Sequence, residues 1–353
     1  MSACGFSLDN GLPGALKKFA FENRFPLSAT FELTPLCNFS CVMCYVHLTK
    51  EQMKSRGEML TAEQWIDIAK QAKDMGTLYV TLTGGEPFVR PDFWDIYSEL
   101  NKMGFLISVL SNGSLIDESV MEKFNEYGKP YLMKLSLYGA SNETYSKVCG
   151  CPDGFERVEK AVKLIKNAGI PLMLTGTVVR ENSEDLNKLY EKAREWNVPF
   201  QHTVTVVKSA RGAVNSAAES RFTFDEFLDE MTLEKLEKNK FPPLKSPFAW
   251  CSSYGCSFWL TWNGHVQLCS FMNGPYATLE NGLTDAWIEL NFKLDNLKSP
   301  QECKECRYAE FCQRCPGMLC GESGDAEKIS EDICNIAKKL YYAHKKLIQE
   351  EQT

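Results

Sequence analysis

No stretch of this chain is apolar for long enough to cross a bilayer. Its first residues, with Lys17, Lys18 and Arg24, lack the roughly 7 to 15 consecutive apolar residues of a secretory signal. The expectation is a cytoplasmic protein with no membrane partner. Clustered basic residues are missing too. Against 46 acidic residues stand 39 Lys and Arg, a formal charge of -7, which argues against the basic face that a nucleic-acid partner requires. There is no low-complexity tract and no internal repeat, which excludes a repeat array. What remains is 353 residues with 44% hydrophobic and 24% charged content, the make-up of a globular enzyme with one large core and a smaller module.

Against these absences stand fifteen cysteines. Disulfides are rare in a reducing compartment and exposed thiols invite oxidation, so a cytosolic chain keeps this many only if most have a use. The odd count and uneven spacing do not fit a disulfide framework, and metal ligation is the natural use.

Between 27 and 207 short apolar runs alternate with amphipathic stretches of helical period, as βα units of a parallel sheet require. The strand candidates are 28–33, 78–83, 106–111, 132–137, 172–179 and 201–207. Helix candidates lie between them at 61–74, 92–102, 117–127, 155–168 and 183–195, some opening on a capping Thr, Asp or Ser. Six units predict an α/β fold, a partial (β/α)6 barrel. The chain divides into an N-terminal extension (1–26), the barrel (27–215), a linker with a charged helix at 224–239 stopped by Pro242 and Pro243 (216–250), a small Cys-rich α+β domain (251–340) and a helix end (341–353). The Cys-rich part opens with a hairpin, 257–262 and 265–269, around the turn dipeptide Asn263-Gly264, and a last helix is expected over 335–350.

After the first strand, Cys37, Cys41 and Cys44 stand at C-x3-C-x2-C in one short loop. A 4Fe-4S cluster held wholly by protein takes four cysteines; three leave one iron open to a small molecule bearing an amine and a carboxylate. The competing reading is a zinc or ordinary cluster site that borrows a fourth ligand such as His47. After the second strand comes Gly84-Gly85-Glu86-Pro87, with two glycines that let backbone approach closely and a carboxylate able to accept from an ammonium. The spacing and this company resemble the radical SAM superfamily.

The resemblance implies S-adenosylmethionine as cofactor, with Gly84, Gly85, Glu86 and Pro87 at its methionine amino group. Ser111 and Asn112 close the third strand, Ser136 stands where the family serine contacts the cofactor's ribose or carboxylate, and Arg180 is a partner for the carboxylate or else a solvated surface arginine. It also implies the chemistry: one electron from the reduced cluster cleaves the sulfonium bond, and the 5'-deoxyadenosyl radical removes hydrogen from an unactivated C–H bond.

Farther on, Cys251, Cys256 and Cys269, then Cys303, Cys306, Cys312 and Cys315, and finally Cys334 make eight thiols, enough for two cubanes. This run resembles the SPASM domain. That resemblance implies one auxiliary cluster on Cys251, Cys256, Cys269 and Cys315 and another on Cys303, Cys306, Cys312 and Cys334. Cys312 and Cys315 are separated by two residues where the family usually has three, and Cys320 is a rival ligand, so an open-sited second cluster stays in play, as does a zinc ribbon. Cys4, Cys149 and Cys151 match no pattern and read as small hydrophobes; Cys149 and Cys151, near the expected active face, could alternatively return a hydrogen atom to a substrate radical. Packing is the expected role of Tyr138, His202 and Lys208.

SPASM-bearing enzymes of this family imply a ribosomally made peptide or protein substrate that is crosslinked, epimerised or oxidised, and a reductant such as flavodoxin or ferredoxin. Alternatives are a sulfatase-maturase-like formylglycine-forming enzyme, a small-molecule dehydrogenase and a non-catalytic iron-sulfur carrier. Only about thirty residues precede the first strand, which leads us to expect that leader recognition falls to a separate protein or to the substrate.

Overall fold

The computed structural model describes residues 12–208, 217–221, 236–237, 240–241, 246–249, 251–312 and 314–351. Six strands, β1 (Ser28–Glu32), β2 (Tyr79–Thr83), β3 (Leu106–Ser111), β4 (Leu132–Ser136), β5 (Leu172–Thr177) and β6 (Phe200–Thr203), run parallel and neighbour one another in chain order. Their register puts one apolar row against the helices: Phe31 lies opposite Leu82, Val80 opposite Ile107, Val109 opposite Met133 and Leu135 opposite Leu174. The alternate positions turn to the inner face of the curved sheet, where the row is polar: Thr30 beside Thr81, Thr81 beside Ser108, Ser136 beside Thr175.

The helices form for reasons visible in their residues. α1 (Ala62–Asp74) buries Trp65, Ile68, Ala69 and Ala72, one stripe at helical spacing, and opens on a reciprocal capping box between Thr61 and Gln64. Its Trp65 ring lies 5.1 Å from Phe31 of β1. α2 (Phe93–Lys102), α3 (Glu118–Tyr127) and α4 (Gly154–Asn167) repeat the buried stripe, and α3 is capped by the Asp117 carboxylate.

The hairpin that opens the Cys-rich segment does not stand apart. Its first strand, β7 (Ser257–Leu260), pairs parallel with β1, Ser28 opposite Ser257, and β8 (Val266–Gln267) pairs antiparallel with β7, so that all eight strands form one sheet. A helix absent from the sequence reading, α5 (Leu283–Asp295), packs behind it: Trp287 lies 6.2 Å from Phe258 and donates its indole N–H to the Arg24 carbonyl at 2.9 Å.

Four further helices were not anticipated: Leu12–Asn23, Lys50–Lys54, α6 (Asn142–Cys149) and α7 (Pro316–Ser323). The fifth and sixth strands end earlier than expected, at Thr177 and Thr203, and the stretch expected as a helix from 183 begins as a 3-10 turn over Arg180–Asp185. The Asn182 amide holds that turn by donating to the carbonyls of Tyr138 and Thr177 while its oxygen accepts from Val179 N–H. The last helix, α8 (Glu331–Glu351), starts at Glu331 rather than at 335. The helix expected at 224–239 falls outside the described residues except at 236 and 237. Among the described residues no helix is long and apolar enough to cross a membrane.

Candidate functional site

The loop that leaves β1 is tied to the turn that leaves β2. Leu33 N–H donates to the Thr83 carbonyl at 2.8 Å, Gly85 N–H to Thr34 at 2.7 Å and Glu86 N–H to Leu36 at 3.0 Å. The two glycines are required by this contact. A Cβ at Gly84, whose φ is +153°, would stand 2.4 Å from the Thr34 carbonyl oxygen, and one at Gly85 would stand 2.3 Å from that of Leu36. The backbone they admit so closely is the chain's own thiol loop. Arg90, buried, clamps the same junction: it donates to the Leu33 carbonyl at 2.7 Å and to Leu60 at 3.1 Å while gripping Asp92 through two nitrogens. Nothing in the sequence distinguished Arg90 from a surface arginine.

Cys37, Cys41 and Cys44 share this loop at the C-terminal end of the sheet. Cys37 Sγ accepts from Phe39 N–H at 3.3 Å and from the Asn112 amide at 3.7 Å; Cys44 Sγ accepts from His47 N–H at 3.3 Å. Burial pushes the Cys44 thiol up to about 11, with the charge of Cys41 adding to it, and pushes Cys37 up as well, reinforced by Glu86, Cys41 and Cys44. Cys41 is held up by a hydrogen bond with Cys149 and by burial.

Cys149 therefore backs the loop and does not face open space. It is fully buried at the end of α6, whose carbonyls at Cys149 and Val148 accept from Ser40 and Val42 N–H, both at 2.9 Å. Cys151, half-buried, donates its thiol to Asp153 at 3.3 Å. Cys4 lies outside the described residues.

Glu86 is wholly buried and its carboxylate is engaged by the end of β3: Ser111 hydroxyl donates at 2.9 Å, Asn112 N–H at 2.7 Å and Phe88 N–H at 3.2 Å. Burial raises it to about 7 against these three donors, which favour the charged form. Asn112 also donates to Asn38 at 3.0 Å, inside the thiol loop. The Ser136 carbonyl, at the end of β4, accepts from the buried Tyr145 hydroxyl at 3.3 Å. Tyr138 sits near Cys41 and Cys149, its phenol pushed up by burial.

Arg180 is exposed and donates its Nε to the Arg221 carbonyl at 2.9 Å. His202 packs on the outer side of β6, Nδ1 2.8 Å from the Tyr190 hydroxyl, and Lys208 is exposed, its N–H donating to Glu322 at 3.2 Å. One residue the sequence reading passed over is Glu32. It is buried on the inner face near Cys44 and accepts from the Trp259 indole at 3.0 Å.

In the C-terminal segment the thiols fall into neighbourhoods. Cys303, Cys306, Cys312 and Cys334 lie close enough for their charges to act on one another; Cys312 is pushed up to about 12 by burial and by the other three. Cys269 and Cys315 meet at the start of α7, where a Cβ on Gly317 would stand 3.0 Å from one sulfur and 3.7 Å from the other. Phe271, two residues beyond Cys269, lies 5.6 Å from Tyr45 of the first loop. Cys251 is half-buried against the main core, and Cys256 is buried beside Ala20 and Leu27, with its carbonyl accepting from Ser28 N–H at the start of β1. Cys320 is buried in the main core, its thiol donating to the Gly274 carbonyl at 3.5 Å.

These donor sets suit iron-sulfur chemistry. Buried thiols that raise one another stay protonated unless a cation at the sulfur compensates, and cluster iron supplies that charge. Among the described residues, no three His, Cys, Asp or Glu side chains converge as one metal ion requires. A cubane differs, since each of its irons takes its own thiolate.

Comparison with known proteins agrees with this construction. The family model described as Radical SAM superfamily matches residues 31–193. An AdoMet-dependent heme synthase of Methanosarcina barkeri (strain Fusaro / DSM 804) is 31% identical over 53% of this chain and 52% of its own length. A PqqA peptide cyclase of Granulibacter bethesdensis (strain ATCC BAA-1260 / CGDNIH1) is 28% identical over 55% of this chain and 50% of its own. The chain thus spans about half the length of these curated relatives. Two solved structures share the fold: Streptococcus suis SuiB bound to precursor peptide SuiA (TM-score 0.67, 16% identity, 91% of this chain and 80% of that one) and anSMEcpe with bound AdoMet and Kp18Cys peptide (0.62, 20%, 92% and 98%). With its three-thiol loop at the end of β1 and the Gly-Gly-Glu-Pro turn locked against it, the chain is similar over residues 31–193 to the radical SAM superfamily.

Proposed function

We propose that this protein reductively cleaves S-adenosylmethionine and uses the resulting radical to modify a ribosomally made peptide. The observation that carries the reading is the three-thiol loop, braced by Gly84, Gly85 and Asn112 on one side and by Cys149 on the other. In this reading Cys37, Cys41 and Cys44 hold three irons of a 4Fe-4S cluster and leave the fourth to the cofactor's amine and carboxylate. When bound, the cluster supplies the electron that breaks the sulfonium bond, leaving methionine and a 5'-deoxyadenosyl radical.

The chain's own residues position and shield. The Gly84–Pro87 turn offers backbone to the methionine end, Glu86 orients the Ser111–Asn112 corner from within the core, and Ser136 lies at the strand end facing the ribose or carboxylate. Arg180, whose Nε donates to the Arg221 carbonyl, keeps its terminal nitrogens for the cofactor's carboxylate. Cys303, Cys306, Cys312 and Cys334 would hold one auxiliary cluster, and Cys251, Cys256, Cys269 and Cys315 the other, with Cys320 kept to the core. A peptide substrate is favoured by what the similar proteins are named for: a peptide cyclase, and a structure bound to its precursor peptide. The heme synthase keeps a small-molecule substrate as the second reading. A flavodoxin or ferredoxin would reduce the first cluster, a separate protein would present the leader, and the compartment would be the cytoplasm.

The test is anaerobic reconstitution with iron and sulfide counted per chain, followed by assay of 5'-deoxyadenosine release with and without short peptides encoded beside the gene. About twelve irons and peptide-dependent release support the reading. Cleavage that survives alanine at Cys37, Cys41 and Cys44 overturns it.

A further inference from the structure

A guanidinium sits against the C-terminal thiol quartet. Arg314 occupies the two-residue spacer between Cys312 and Cys315, the place where the spacing departs from the SPASM pattern. Its Nη1 donates to the Cys303 carbonyl at 3.4 Å, and its Nε is buried without a hydrogen-bond partner. With Cys303 it lines a small cavity walled by Pro247, Pro300, Pro316 and Leu319, where the one hydroxyl, that of Ser299, makes no hydrogen bond to that N–H. Other charges around the quartet, among them Lys304, Glu305, Arg307 and Lys338 and the carboxylates Glu302 and Glu331, are exposed. Arg314 is the one that reaches in with a partly desolvated, permanent charge. A buried N–H costs free energy unless something accepts from it, and beside the Ser299 hydroxyl the acceptors a filled site brings are the sulfurs of its ligands and of a cluster held on them.

We infer that Arg314 is a tuning residue for the C-terminal auxiliary cluster: its guanidinium donates to sulfur there and raises the reduction potential, which makes that cluster the electron acceptor of the reaction. The inference rests on the assignment of Cys303, Cys306, Cys312 and Cys334 to one cluster under the proposed function. Net charge and hydrogen bonds to sulfur are the levers that set such potentials, and a fixed positive charge stabilises the reduced, more negative form. The consequence concerns product class. After the substrate loses a hydrogen atom to the 5'-deoxyadenosyl radical, the carbon radical becomes a closed-shell product by giving one electron to the auxiliary cluster and one proton to solvent. The substrate is thereby oxidised by two electrons, as in a crosslink, and is not returned as an epimer. The stored electron then leaves to a soluble one-electron carrier protein.

The test is an EPR-monitored redox titration of the reconstituted holoprotein, compared with Arg314→Gln and Arg314→Lys. In Arg314→Gln one cluster's redox equilibrium is expected to fall at least tenfold, about 59 mV for a one-electron couple, with the other two unmoved. Arg314→Lys should recover part of the shift, since it keeps the charge and loses the planar fork. Midpoints in Arg314→Gln within threefold of wild type, with all irons retained, overturn the inference. Loss of about four irons in both variants overturns it too, because Arg314 then builds the site without tuning it. If the wild-type protein itself lacks the third set of irons, the quartet assignment fails first and the inference falls with it.

Discussion

Cys37, Cys41 and Cys44 sit on a loop that leaves a central strand and is hydrogen-bonded to the β2 turn, to α6 and to the corner after β3. Cys303, Cys306 and Cys312 sit on a segment whose regular structure is two single-turn 3-10 helices, Gln301–Cys303 and Ala309–Phe311, with mostly local bonds such as Ala309 N–H to Cys306 and Cys312 N–H to Ala309. The first site is held in shape by contacts between residues far apart in sequence. The second is anchored chiefly by side chains, with Phe311 buried 5.0 Å from His344 and Tyr308 5.4 Å from Tyr341 of α8, and metal binding by its thiols adds folding free energy to that anchor. The cofactor-cleaving site would then be preorganised by backbone bonds, whereas the auxiliary site would owe more of its order to its iron.

The comparison can be broken most decisively at the first loop. Replacing Cys37, Cys41 and Cys44 by alanine should abolish S-adenosylmethionine cleavage, by about a thousandfold or more, while about eight irons and an unchanged far-UV spectrum remain. Loss of all iron in that variant would show that the regions are not independent. Next in size, stripping iron with a chelator should speed limited proteolysis within 296–330 at least tenfold and leave fragments of the barrel intact, as mass spectrometry of the digest would show.

A paired substitution sharpens the contrast further. Gly85→Ala drives a Cβ to 2.3 Å from a backbone oxygen and should cost about 2 to 4 kcal/mol in chemical denaturation, with loss of the first cluster's iron. Gly317→Ala meets a cysteine sulfur at 3.0 Å, a side-chain atom that can give way in the iron-free protein, and should cost roughly 1 kcal/mol or less there.

The subtlest effect concerns pH. Burial holds Glu86 at about 7 in the fold against an ordinary value of 4.5. Between those values the native state binds more protons than the unfolded chain, so this residue's contribution is full at low pH and is lost as pH rises to 7, on the order of 3 kcal/mol in all. Denaturation of the iron-free protein from pH 4.5 to 7.5 should therefore show a downward slope that Glu86→Gln flattens. An unchanged slope would place the ionised form in the fold throughout.

How far the sequence could be read depends on the range of the interactions involved. The strands were legible because each has a continuous apolar row, as at Val80 and Leu82, and the helix Ala62–Asp74 because Thr61 and Gln64 announce it. The helix Asn142–Cys149 was not. It has eight residues, several of them polar, and is held by a Ser141 cap and by Gly150 at φ +65°. Leu283–Asp295 escaped because it follows Gly282 with no side-chain cap. At the site, the thiol spacing and the Gly-Gly-Glu-Pro turn could be read directly. The reason for the glycines, the contact of Cys149 with Cys41, the clamp of Arg90 and the turning of Arg180 toward Arg221 could not.

By itself, then, the sequence determined the six parallel strands and the amphipathic helices between most of them, how many thiols are present and how they are spaced, because periodicity, capping and ligand spacing are local properties. The tertiary structure alone decided that β7 extends the barrel sheet from β1, that Glu86 is sealed in the core and that Cys269 meets Cys315 beside Gly317. Each of these depends on which distant surfaces bury one another, and no short window of residues carries that information.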